Sequence, residues 1–138
     1  MLLRPDLIAA YRKAHYVVHG RPEIVLRIGE PNLDLDALLE ADGAATAAYV
    51  TASNQRGEQR SEAENALAFN ALKSFLQKKP YRCRPGEGRD PKGRWPAEPS
   101  MLVIGIARAQ AEALGRRFGQ NAIVFAEKGR APELVLLG

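Results

Sequence analysis

The chain is poor in the residue types that announce a chemistry: among its 138 residues are one cysteine, two histidines and one tryptophan. A lone cysteine, Cys83, has no partner for an internal disulfide, which fits a reducing compartment. The two histidines, His15 and His19, have metal-ligand spacing only on a helix. Tyr16-Val17-Val18 between them reads as strand, which sets them roughly 13 Å apart, so no metal site is expected. Long apolar runs are also missing. The longest, Met101 to Ile106, is far short of the roughly 20 residues that span a bilayer, so no membrane partner is expected. The opening Met1-Leu2-Leu3-Arg4-Pro5-Asp6 is broken too early by charge and proline to be a secretory signal. A cytoplasmic protein is the expectation. Neither an internal repeat nor a low-complexity tract marks a second domain.

What remains is ordinary globular material, 46% hydrophobic and 26% charged, at the length of one domain with one core. A monomer is the default. The net charge of +4 is unevenly placed: residues 1–69 carry 7 basic and 10 acidic side chains, residues 70–138 carry 13 and 6. The basic density peaks from Lys73 to Arg94, and an acidic run extends from Glu30 to Asp42. Such polarity steers an anionic partner, or is simply a solvated surface.

Local signals predict the elements. Pro5 and Asp6 open a helix with Leu7, Ile8 and Tyr11 on one face. His15 to His19 and Glu23 to Ile28, separated by Gly20-Arg21-Pro22, read as a hairpin. Asn32 or Asp34 caps a short helix through Leu35, Leu38 and Leu39 that Gly43 ends. Ala45 to Ala52 reads as a strand covered on both faces. Ser61 and Glu64 form a capping box for a helix reaching Gln77. Tyr81 to Arg84 is a short strand, while the proline- and glycine-rich stretch from Pro85 to Pro99 predicts neither helix nor central strand. Met101 to Ile106 is a buried strand. A helix over Ala107 to Phe118 follows, and two strands, Asn121 to Ala126 and Glu133 to Leu137, close the chain. The fold class is α+β: a mixed sheet of five to six strands, three to four helices and a βαββαβ run.

Several separated motifs, in order, carry a family resemblance. Tyr49-Val50-Thr51-Ala52-Ser53-Asn54, then Ser61 to Asn65, Gly86 to Ser100, and Leu114 to Ile123 resemble the bacterial family called domain of unknown function 3293. Gln55 departs from it, where the family pattern commonly places proline after the asparagine. The resemblance runs from about Tyr16 to the end. It implies one compact bacterial domain and no assigned activity.

Two polar segments are candidate binding material. In the first, a strand ending in Ser53-Asn54 leads through Arg56 and Arg60 to the helix at Ser61, with Asn65 on that helix's apolar face. Free N–H groups at a helix start attract anions, although the capping box already uses some of them. The second is the 85–98 loop, where Glu87, Arg89, Asp90, Arg94, Trp95 and Glu98 combine carboxylates, cations and a large ring. A structureless segment of that length is usually functional or disordered, and the indole argues for order. The leading expectation is a non-enzymatic module, without cofactor, binding an anionic small molecule or nucleic acid between the two segments. The alternatives are a small hydrolase- or transferase-like enzyme using Glu87, Asp90 or Glu98 as base, and a protein–protein adaptor. Cys83, between Arg82 and Arg84 in a strand, points away from both arginines and reads as structural.

Overall fold

A computed structural model describes residues 4–137. Four helices and seven strands follow in the order α1 (Pro5–Lys13), β1 (His15–Val18), β2 (Ile24–Leu26), α2 (Leu33–Ala41), β3 (Thr46–Thr51), α3 (Glu62–Gln77), β4 (Arg82–Arg89), β5 (Glu98–Ile104), α4 (Arg108–Arg117), β6 (Ala122–Glu127) and β7 (Glu133–Leu136). Local chemistry sets the helix ends. Asn32 accepts from the Leu35 N–H at 2.9 Å and starts α2. Ser61 and Glu64 close a reciprocal capping box on α3, each bond 3.1 Å. Gly43 and Gly119, at φ +65° and +67°, terminate α2 and α4 in the left-handed conformation that a glycine adopts without a Cβ penalty.

The strands form one sheet in the order β2-β1-β4-β5-β3-β6-β7, and every neighbouring pair is antiparallel. This corrects the expected mixed sheet of five to six strands. The βαββαβ run is present: β3-α3-β4 and β5-α4-β6 each join strands of the same direction, but each crossover leaves one strand's width between its ends. The other unit's strand fills that gap, so no parallel neighbours arise. The β1–β2 hairpin extends the sheet beyond β4, and β7 extends it beyond β6.

The expected loop over residues 85–99 is also shorter than its composition suggests, because β4 runs on to Arg89 and β5 begins at Glu98. Pro85 is tolerated for a geometric reason. Its carbonyl accepts from the His19 N–H at 2.9 Å, just past the last paired residue of β1. The N–H that proline lacks would point the same way, to where β1 has ended.

Both faces are covered. On one, Leu72 and Leu76 of α3, Ala111 and Leu114 of α4, and Phe118 just past its end pack on Val50, Val103 and Phe125. On the other, Leu35, Leu38 and Leu39 of α2 pack on Leu26, Ala47, Leu102 and Ile104. Full burial of one such leucine stabilises by about 1.5–3 kcal/mol. α2 covers only part of its face. The remainder, toward Thr51, Ser100 and Gly88, faces α1, which has no fully buried residue. A groove lies there.

Candidate functional site

The groove has a volume of about 910 Å³. Its floor is one face of the sheet, set by strand alternation and register. Tyr16, Gly88 and Glu98 form one row across β1, β4 and β5. The next row brings Gly86, Ser100 and Thr51 together. Leu7, Ala10 and Tyr11 of α1 face this floor, and the turn from Ser53 to Ser61 with the 94–97 segment shapes the mouth.

The two glycines of β4 have opposite surroundings. A Cβ on Gly86 would lie 2.0 Å from the Val17 carbonyl oxygen and 3.1 Å from the Tyr49 hydroxyl. Here the absent side chain lets the Tyr49 hydroxyl reach across and donate to Val17 O at 2.8 Å. Gly88 is also buried, yet a Cβ there would meet nothing within 4 Å. A buried strand glycine with open space above it is a recess, between the Tyr16 ring and the Glu98 carboxyl.

Most floor hydroxyls are already committed. Tyr16 donates to Tyr11 O at 2.6 Å, Thr51 to Pro99 O at 2.8 Å and Ser100 to Glu98 O at 2.9 Å. Tyr16 and Tyr49 pack edge to face with centroids 5.4 Å apart, and burial pushes both phenol pKa values up. Tyr11 is likewise raised, chiefly by burial, opposed by the Asn121 side-chain amide, whose N–H favours the phenolate oxygen.

Asn54 ties the two candidate segments together. It adopts φ +49°, a left-handed conformation that asparagine tolerates better than most residues. Its side-chain N–H donates to Glu98 Oε2 at 2.8 Å, and its Oδ1 accepts from the Arg60 N–H at 2.9 Å and the Asn65 amide at 3.1 Å. Its own backbone N–H donates to Asn65 Oδ1 at 2.9 Å. Asn65 thus pins the start of α3 to the end of β3. Two polar atoms beside this network, Ser53 Oγ and Arg60 Nε, are buried without a hydrogen-bond partner.

Glu98 is half-buried, and among the described residues no cation pairs with it and nothing donates to its Oε1. Burial raises its pKa, with the Asn54 bond opposing. Because the folded state then holds the proton more tightly than the unfolded chain, the stability contributed by Glu98 is complete below its ordinary pKa of about 4.5. It is lost as pH rises through the raised folded value. Glu98→Gln keeps an acceptor for Asn54 without the charge. It should therefore melt above the wild type at neutral pH, with the gap closing as the pH is lowered to 4 in calorimetric scans.

The predicted residues divide by face. Ser53, Asn54, Arg60, Ser61, Asn65, Arg94, Trp95 and Glu98 line the groove; Arg56, Glu87, Arg89 and Asp90 do not. Glu87 and Arg89 flank Gly88 and therefore point to the opposite side of the sheet, where they pair with each other at 2.9 Å. Arg56, at φ +62°, is exposed, with its N–H on Gly119 O at 2.6 Å. Asp90 closes its own turn, accepting from the Lys92 and Arg94 N–H groups and from Arg94 Nε at 2.9 Å. The Arg94 guanidinium, aided by those N–H groups and opposed by desolvation, lowers its pKa to about 2. The three carboxylates of the 85–98 segment thus do not converge. Sequence reasoning passed over Tyr11, Tyr16, Tyr49 and Gly88. The alternation Gly86-x-Gly88 was the available sign of a strand face stripped of side chains.

Residues 50–123 match the family model described as "Protein of unknown function (DUF3293)". No curated protein and no solved structure matches the chain. The matched stretch holds Asn54, Asn65, Gly88 and Glu98 and stops short of α1 and Tyr16, so the groove is built partly from outside it.

Proposed function

Since the chain belongs to the DUF3293 family, whose function is unknown, its function has to be inferred from the groove, and we propose that it is a small-molecule binding module. The ligand's apolar body lies on the floor over Gly88, and an anionic group lies at the mouth near Arg60 and Arg94. The observation that carries this reading is the Gly88 recess: a buried backbone position with free space above it and aromatic rings beside it. Protein interiors are close-packed, and concave, mostly apolar sites with a few polar groups are where small ligands bind.

The polar end has its own support. Arg60 Nε is buried without an acceptor, at a cost of about 1–3 kcal/mol that an anionic oxygen would relieve. Arg60 and Arg94 also face carboxylates of their own, Glu58 at 3.2 Å and Asp90 at 2.9 Å. Their pull on an anion is therefore moderate. The enzyme alternative finds little support, with Glu98 the only one of its three carboxylates on the groove. For an adaptor, the large exposed apolar side chains, Leu33, Leu67 and Leu136, are scattered over α2, α3 and β7.

Gly88→Val tests the reading. The side chain enters open space, and a β-branched residue suits a strand better than glycine by about 0.5–1 kcal/mol. The variant should fold at least as stably as wild type. It should also lose every melting-temperature increase that a library of small organic acids gives the wild type. Retention of those increases in a folded Gly88→Val protein would remove the groove as the site.

A further inference from the structure

The inner end of the groove offers a ligand little to hydrogen-bond with. Tyr16, Tyr49, Thr51 and Ser100 have each donated their hydroxyl to a backbone carbonyl. Glu98 is different. Asn54 holds only its Oε2, so the other oxygen keeps its lone pairs on a floor whose Tyr16, Tyr49, Thr51 and Ser100 hydroxyls already donate elsewhere. The basic side chains at the mouth are paired elsewhere, Arg60 with Glu58 and Arg94 with Asp90. A half-buried carboxylate with no counter-charge is costly, and an ionised carboxylate can only accept. Its complement is a donor carrying positive charge, and the faces of aromatic side chains attract such a cation.

We infer that the groove takes an organic amine, its ammonium on Glu98 Oε1 and its aromatic or alkyl body over Gly88 between Tyr16 and Glu98. This rests on the groove being a binding site. It makes the whole ligand amphoteric, with the amine inside and the anionic group at the mouth. Glu98 is the specificity-determining residue, and Asn54 positions it by fixing one oxygen and leaving the other free.

Three probes of matched shape separate the possibilities: phenethylamine, the neutral 2-phenylethanol and the anionic 3-phenylpropionate. Binding to the full chain is read by thermal shift and calorimetry, in wild type, Glu98→Gln and Gly88→Val. Phenethylamine should bind wild type best, and Glu98→Gln should weaken it by about 10- to 100-fold, the usual worth of a hydrogen bond to a charged group. The same substitution should leave 2-phenylethanol nearly unchanged. Phenethylamine affinity should also fall as the pH is lowered and Glu98 takes up its proton, while the amine stays charged. Equal phenethylamine affinity in wild type and Glu98→Gln overturns the inference. So does a wild type that binds 3-phenylpropionate or 2-phenylethanol in preference to the amine, with that binding lost in Gly88→Val. In that case the groove survives as a site and only its ligand class is wrong. No binding of any probe would count against both.

Discussion

Gly86→Ala should lower the stability of the protein by about 3 kcal/mol or more, at the upper end of what overpacking costs, whereas Gly88→Ala should leave it near wild type. The two positions are two residues apart on the same strand face. At Gly86 the new methyl would meet a backbone oxygen at 2.0 Å, and a backbone atom inside a sheet cannot swing aside as a side-chain tip can. β1 and β4 would have to separate, which would also disturb the buried Tyr49–Val17 bond. At Gly88 the methyl enters the groove. Urea titrations of the two variants give the comparison directly. Similar midpoints for both would show that β1 and β4 yield more easily than their register implies.

Asn54→Ala should cost about 2–4 kcal/mol, because one side chain serves three partners and the position is left-handed. The substitution removes the acceptor for the Arg60 N–H and the Asn65 amide, and the donor to Glu98. Buried groups left unpaired account for about 1–3 kcal/mol each at full effect. Alanine at φ +49° adds about 1 kcal/mol of backbone strain. Loss of the Asn54 donor also removes the one interaction that favours the charged form of Glu98, so the pKa of Glu98 should climb further. A Glu98 titration followed by NMR checks that directly, and an unmoved pKa would show that Asn54 does not set the state of this carboxyl. Asn54→Gly separates the two contributions, since it loses the bonds without the strain.

The candidate site was half-legible from the sequence. Asn65 stood out because a lone amide on an apolar helix face must be paired, and it is paired with Asn54. Ser61 and Glu64 were legible as a cap for the same kind of local reason. Proximity in the chain groups Glu87, Arg89 and Asp90 with Glu98. β4 then put Glu87 and Arg89 on the far face, and a tight turn enclosed Asp90. The rings of the groove were invisible, since Tyr11, Tyr16 and Tyr49 belong to three elements that only the sheet and α1 bring together.

By itself the sequence determined what depends on residues a few positions apart: helix ends, the hairpin, and strand periodicity. Those contacts close within one turn or one strand, so the residues that make them are adjacent in the chain. Tertiary structure alone decided the direction and order of the seven strands. It also decided that β4 continues through Pro85 and two glycines, and that Asn54 meets Glu98 across 44 residues. Pairing between distant segments depends on which faces bury most apolar surface together, and that balance is settled over the whole chain at once.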